Sequence, residues 1–494
     1  MKTKRILSCI MAIACAVSIA GCGGSEKTAN NGETPTLIYL VPGDPQSDEA
    51  SVEAKLNEII EPKIGAKIDI QFIDWSAWQE KTNLMLASNE YFDITSAYAM
   101  TIPNLVDNGS VYPLTELLEE HAPALKAELE DYFWEAAKVD GEIYCVPNQQ
   151  IEANNIGVCV RKDLAEKYNL DFDAVDTLMD LEPFWQQVRD NEPDLYPFDM
   201  RSSQEFIDDA LERDLSIEAL PKSASSGYGT TLLKIYYDDL KVVATPDFRN
   251  HIDGARLAYE CGEKGYFRKD RATAADDSAD YATGRYASFT NWYKPGVEAE
   301  LKNKTGYDYL CKMLGTAHVT ESTPLSTKTV INANTKYPVE SIKFLELLNT
   351  DKDVYNLVCF GIEGKHYKWA DEEHIECDSE SGYFTNSSWV FGNVFNAYPQ
   401  VGQDADVWEK TKELNDSAVK SPLMGLAFDT SEITLELAQC NKVQQTYLVS
   451  RIDRAVDDPD TYWEEYREEL KKAGIDKVIE CYQKQVDEFM ASKN

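Results

Sequence analysis

Asp44, Trp75 and Tyr98 stand at the carboxyl ends of three short apolar or alternating runs, 36–41 (TLIYLV), 66–73 (AKIDIQFI) and 92–98 (FDITSAY). Aromatic faces stack on the apolar CH face of a sugar ring, and planar carboxylates and amides bond its hydroxyls in pairs. These side chains therefore suit the holding of a polyhydroxylated solute. Signals for bond cleavage are poor. The chain has no GxSxG elbow, no HExxH and no complete phosphate-binding loop. The run 361–365 (GIEGK) is too short for such a loop and lacks a Ser or Thr after the Lys, and Gly227-Tyr228-Gly229 lacks the third glycine of a dinucleotide fingerprint. A chain with 86 acidic residues offers carboxylate pairs everywhere, so no pair by itself points to a glycosidase. His366, His374 and Cys377, with acidic 371–373 between them, are the one cluster of metal-ligand types. Their wide, charged spacing reads as a solvated loop and not as a convergent zinc site. The expectation is a protein without catalytic residues, metal or cofactor.

The elements that must carry these side chains are legible in the same stretch. Residues 36–41 have the continuous apolar character of a buried strand. Ser47 is placed to cap a helix reaching about Ile60, with Val52, Leu56, Ile59 and Ile60 on one face. Residues 66–73 alternate, Ile68, Ile70 and Phe72 facing one way and Lys67, Asp69 and Gln71 the other. A second helical stretch, 77–88, carries Trp78 and Met85 two turns apart, and 92–98 supplies a third strand. This order predicts β-α-β-α-β, a parallel sheet with right-handed crossovers. Ligands bind such sheets outside the carboxyl ends of the strands, so Pro42-Gly43-Asp44, Asp74-Trp75 and Tyr98-Ala99 should border one crevice. Farther on, 155–161 (NIGVCVR) and 328–333 read as strands, and 162–168 and 339–348 as helices. Near the end, Asp458-Pro459 opens a helix, Glu468 and Lys472 are spaced to pair on it, and Gly474 breaks it. Ile475, Val478, Ile479, Tyr482, Val486 and Phe489 line one face of the last helix.

Composition bounds the rest. The 494 residues allow two or three domains, and 43% apolar and 11% aromatic content are globular values. With 48 basic against 86 acidic residues the net charge is −38. Such a surface repels nucleic acid and anionic headgroups. The N-terminus has the form of an export signal: Lys2, Lys4 and Arg5, an uncharged stretch 6–20, and Ile19-Ala20-Gly21-Cys22. The stretch is too short to span a membrane. The small pair before Cys22 resembles the lipobox of bacterial lipoproteins, with Ile19 where Leu is commonest, and marks Cys22 for lipidation. The polar run 23–34 (GGSEKTANNGET) is then a tether reaching on the order of 20 Å. The resulting expectation is a protein on the extracytoplasmic face of the cell membrane, held through lipid alone. Eleven cysteines fall to eight beyond Cys22: Cys145, Cys159, Cys261, Cys311, Cys359, Cys377, Cys440 and Cys481. They are scattered without close sequence pairs and read as buried free thiols, although an even number permits disulfides.

Several blocks together resemble the family 1 extracellular solute-binding proteins, the sugar-capturing components of ABC importers, and within them the large Gram-positive lipoproteins. They are 37–46 (LIYLVPGDPQ), 73–75 with 81–88, 141–147 (GEIYCVP), 161–163 (RKD), 341–351 (SIKFLELLNTD) and 361–367 (GIEGKHY). Trp389 with Gly392-Asn393, 422–429 (PLMGLAFD) and 473–476 (AGID) with Gln485 complete the set. Cys145 and Trp78 depart from the usual residues. The resemblance implies an α/β chain with a two-lobed, type II periplasmic-binding-protein-like fold, hinged lobes and a helical C-terminal region. It implies a signal peptide at 1–21, a tether at 22–34, an N-terminal lobe from 35–152 and 328–365, and a C-terminal lobe from 153–327 and 366–494. It implies capture of a carbohydrate, an oligosaccharide by expectation, and partnership with ABC permease subunits, without catalysis. A crossover after the GEIYCVP block puts 148–152 in the crevice, adding Gln149 and Glu152 to Asp44 as polar candidates. Trp75, Tyr98, Trp292, Trp389, Tyr228 and Tyr286 are the stacking candidates. The competing expectations are a binding protein for a peptide or other non-sugar solute, and an extracellular polysaccharide hydrolase.

Overall fold

The computed structural model describes residues 34–153, 156–199, 217–220, 232–248, 251–271, 280–281, 283–320, 323–426, 428–452 and 454–493. The signal segment, Cys22, most of the tether and Tyr228 lie outside these residues.

The opening folds as β-α-β-α-β. Strands Thr36–Pro42, Lys67–Ile73 and Ile94–Ser96 run parallel, the first between the other two. Asp93 shortens the third strand at its start, since its carboxylate accepts the Ile38 N–H at 2.9 Å in place of a strand carbonyl. The helix Glu49–Ile64 buries Val52, Leu56, Ile60 and Ile64, one residue per turn, and ends at left-handed Gly65. Ser47 does not cap this helix. Asp48 occupies the cap position, and the Ser47 hydroxyl turns toward the Gly382 carbonyl. Helix Trp78–Ala87 buries Trp78 and Met85 against the sheet. Two returning strands, Lys328–Ile331 and Val146–Pro147, complete a five-stranded mixed sheet, antiparallel to their neighbours.

Two lobes follow from how the buried apolar side chains cluster. The first core gathers residues between Leu37 and Val146 with others between Val330 and Ala397. It includes Ile375, Tyr383, Val390 and Phe391. The segment from His366 to Ala397, expected in the second lobe, therefore packs with the first. The second lobe is built on an antiparallel sheet with Ile156–Arg161 central between Ser288–Trp292 and Tyr309–Met313. A further antiparallel sheet, Ile217–Leu220, Leu233–Tyr236 and Val242–Ala244, is covered by the C-terminal helices, where Leu233, Ile235 and Val242 meet Tyr466, Leu470, Val478, Tyr482 and Val486. Those helices are Trp463–Lys472 and Ile475–Lys493, separated by left-handed Gly474. Lys472 pairs with Glu469 at 2.7 Å, one residue closer than the expected Glu468. Among the described residues no helix is long and apolar enough to cross a membrane.

Candidate functional site

Trp75, Tyr98 and Trp389 come together at the carboxyl edge of the first sheet. Trp75 and Trp389 stack with ring centroids 5.6 Å apart, and Tyr98 meets both edge-on at 5.8 and 5.5 Å. Each ring is set by its backbone. Asp74 accepts the Ser76 N–H at 2.8 Å and the Ser76 hydroxyl, which turns the chain after the second strand and leaves Trp75 38% exposed. Those two bonds, the hydroxyl's first, also hold the Asp74 carboxyl below its usual range. The Trp78 indole donates to the Tyr98 carbonyl at 3.2 Å, tying the second helix to the end of the third strand. Trp389 arrives from a 3₁₀ turn, Ser388–Val390, whose carbonyls accept from the Tyr355 hydroxyl at 2.8 Å and the Asn148 amide at 2.6 Å.

That last bond joins the aromatic group to the chain passing between the lobes. The Gln149 N–H donates to the Gly392 carbonyl at 2.8 Å, and its own carbonyl accepts from Val394 at 2.9 Å. Gly392 has φ of 27°, and a Cβ there would stand 2.7 Å from the Leu348 carbonyl, so glycine is required for this approach. The Gln150 amide reaches Thr327 at 2.6 Å, and the Asn148 N–H reaches the Thr327 carbonyl at 3.0 Å, linking outgoing and returning crossovers. From the other side Asn415, on helix Val407–Ser417, accepts the N–H groups of Glu152 and Ala153 at 2.9 and 3.1 Å and donates to the Gln150 carbonyl at 2.9 Å. A small apolar cluster of Ala153, Ala317, Val319 and Ala418 lies beneath these passages. The arrangement is a hinge, with the aromatic group mounted on its first-lobe side.

The other expected site residues divide. Asp44 is exposed at the end of the first strand, its carbonyl accepting from the Gln46 side chain at 2.7 Å. Gln149 is half-buried, and its side-chain amide nitrogen is enclosed without a hydrogen-bond partner. Glu152 is buried and accepts the Tyr132 hydroxyl at 2.6 Å. Burial pushes its carboxyl up to about 7; Tyr132 and Lys420 oppose the shift, while Glu130 and Asp416 add to it. Trp292 is half-buried at the end of its strand, in register with Ile156 just beyond the crossover. Tyr286 is 1% exposed, packed between Tyr281 and Tyr196 at 4.8 and 5.3 Å, and faces the second lobe's core instead of the crevice. Tyr132, Lys420 and Asn415 were not foreseen. Lys420 sits 4.2 Å over the Tyr132 ring and 3.4 Å from Glu130, a contact between distant segments that no local pattern signals.

His366 is fully buried; its Nδ1 accepts the Ile362 N–H at 2.9 Å and its Nε2 lies 2.7 Å from Asp48. The Asp48 carboxyl is held well below its usual range by Lys365 first, then Ser51 and His366. His374 bonds Asp371 at 2.9 Å. These side chains serve local structure, and among the described residues no group of three His, Cys, Asp or Glu is arranged to hold a metal ion.

The chain is 28% identical, over 97% of its length and 97% of the relative's, to a carbohydrate ABC transporter substrate-binding protein of Streptococcus pneumoniae serotype 4. It superposes on the N-glycan transport solute binding protein NgtS of Streptococcus pneumoniae with a TM-score of 0.82 and 25% identity, covering 93% of this chain and all of the other. The same protein in complex with Man1GlcNAc gives 0.74 and 26% over the same shares. These matches establish a two-lobed fold of the periplasmic-binding-protein kind. Residues 422–491 match a domain of unknown function (DUF3502), the segment bearing the C-terminal helices. Residues 57–358 match the profile of the bacterial extracellular solute-binding proteins, and the chain belongs to that family.

Proposed function

We infer that this protein captures a carbohydrate, an oligosaccharide, between its lobes and delivers it to the transmembrane subunits of an ABC importer, without catalysing any reaction on it. One observation carries this reading. Trp75, Tyr98 and Trp389, from three separate segments, present adjoining aromatic faces at the carboxyl edge of the first sheet, beside the hinge. Trp75 keeps ring surface exposed, and such a face can stack on the apolar CH face of a sugar ring. Asp44, Gln149, Glu152 and Trp292 are the remaining proposed contacts. The carbohydrate transport named for the relatives supports the same class of ligand. The lobe division that goes with it is 35–152 with 328–397 against 153–327 with the remainder. Lipid on Cys22, following cleavage after Gly21, is the proposed tie to the extracytoplasmic face of the membrane, supported by the basic, apolar and small-residue order of 1–22.

Binding and closure are one event on this reading: a ligand touching both lobes favours the closed form by its differential affinity for it. Titration calorimetry against soluble glycans, mannose–GlcNAc fragments and fructooligosaccharides among them, should find a ligand. Small-angle scattering should then record a smaller radius of gyration with that ligand bound. Binding of peptides with none of any glycan, or release of reducing sugar from an oligosaccharide by the pure protein, would overturn the proposal.

A further inference from the structure

Cys159 and Cys311 face each other across the sheet of the second lobe. Cys159 lies in strand Ile156–Arg161 and Cys311 in strand Tyr309–Met313, and in their antiparallel register each is the other's direct partner. The two sulfurs are 2.8 Å apart. Directly opposed residues of an antiparallel pair have Cα atoms about 4.5–5.5 Å apart, inside the range of about 4.4–6.8 Å that a disulfide spans. Cys159 is buried and Cys311 half-buried, so neither is easily reached by a distant thiol. Among the described residues no other cysteine sulfur is within hydrogen-bond reach of a second one. The extracellular setting of the family is an oxidising one, where such a pair persists as a disulfide.

We propose that Cys159 and Cys311 are joined by a disulfide in the exported protein, cross-linking the strand that enters the second lobe to the strand that leaves it. The bond closes a sequence separation of 152 residues. Its consequence lies at the hinge. Both crossovers are then rooted in one covalently fixed strand pair, so the second lobe turns as a body when the clamp closes. In forming the bond each thiol gives up a proton and an electron. One sulfur–sulfur bond appears, and the two electrons and two protons pass to the disulfide of an extracytoplasmic thiol oxidant, which leaves as two thiols.

Differential alkylation of the full mature chain tests this. Protein taken from the cell surface into acid is denatured without reductant, its free thiols are blocked with one reagent, and it is then reduced and labelled with a second. Peptide mapping should find the second label on Cys159 and Cys311 and the first on the other six non-lipidated cysteines. Reduction should also lower the unfolding temperature of the parent protein, and leave that of the Cys159→Ser, Cys311→Ser double variant unchanged. Full first-reagent labelling of Cys159 and Cys311, a bridge from either to another cysteine, or a parent unfolding temperature indifferent to reduction would overturn it. The labelling needs only the parent protein, so it holds even if the double variant fails to fold.

Discussion

Trp75 is 38% exposed, while Trp78, three residues on, is 2% exposed, and the difference separates binding from folding. Trp75 rests on Trp389 and Tyr98, contacts worth about 0.5–1.5 kcal/mol each beyond area burial, and presents its remaining surface outward. Truncating it to Ala should cost about 1–3 kcal/mol of stability from those two contacts, besides the apolar area they cover. It should remove ligand contact worth about 1.5–3 kcal/mol, on the order of a 10- to 150-fold loss of affinity. Trp78→Ala should do the reverse, costing about 3–5 kcal/mol of stability as buried aromatic truncations do. Chemical denaturation and calorimetry on both variants read the two quantities separately; unaltered affinity in a folded Trp75→Ala protein would remove the aromatic group from the site. Trp75 and Tyr98 were legible because the strand ends that place them are local. Trp389 was legible only by resemblance, since its position depends on bonds from Tyr355 and Asn148. Tyr286, just ahead of strand Ser288–Trp292, is buried against Tyr196 and Tyr281, contacts that no local pattern around it signals.

At the scale of elements, the crossover carries a titrating group. Glu152 ionises near 4.5 in the unfolded chain and near 7 in the folded protein, because burial disfavours its charge. Between those values the folded protein keeps a proton that the unfolded chain has released. Stability therefore falls as pH rises from about 4.5 to about 7, and stays lower above, by an amount on the order of 3 kcal/mol. Gln in its place can still accept the Tyr132 hydroxyl and cannot ionise. Glu152→Gln should flatten the pH dependence of the urea midpoint across that window and leave the variant the more stable protein at pH above 8. Equal slopes for parent and variant would show that Glu152 is already ionised in the fold. The sequence placed this residue on the crossover but not its burial, which comes from Tyr132 and from the 415–420 region, more than 260 residues along the chain. The same contrast holds among the elements. The opening β-α-β-α-β was legible because each segment's period matches its burial, whereas the 366–397 segment has short strands and 3₁₀ turns whose partners lie in the first lobe.

For the whole molecule the dominant quantity is a charge of −38, a surplus that opposes compaction by self-repulsion. Among the described contacts, many cations are already engaged at exposed ion pairs such as Lys302–Asp308 and Lys410–Asp404; such pairs contribute about 0–1 kcal/mol each. Salt shortens the reach of this repulsion from about 30 Å at 0.01 M to about 8 Å at 0.15 M. The urea midpoint should therefore rise as sodium chloride is added over that range. Ligand affinity should behave differently. A neutral sugar held by aromatic faces and hydroxyl hydrogen bonds changes no charge on binding, so its dissociation constant should stay within about twofold from about 0.05 to 0.5 M salt. A cationic solute drawn in by the acidic field would lose affinity steeply over the same interval. Calorimetric titrations at the two salt concentrations distinguish these cases, and a tenfold weakening would show that the acidic surface, and not the aromatic group beside the hinge, selects the ligand.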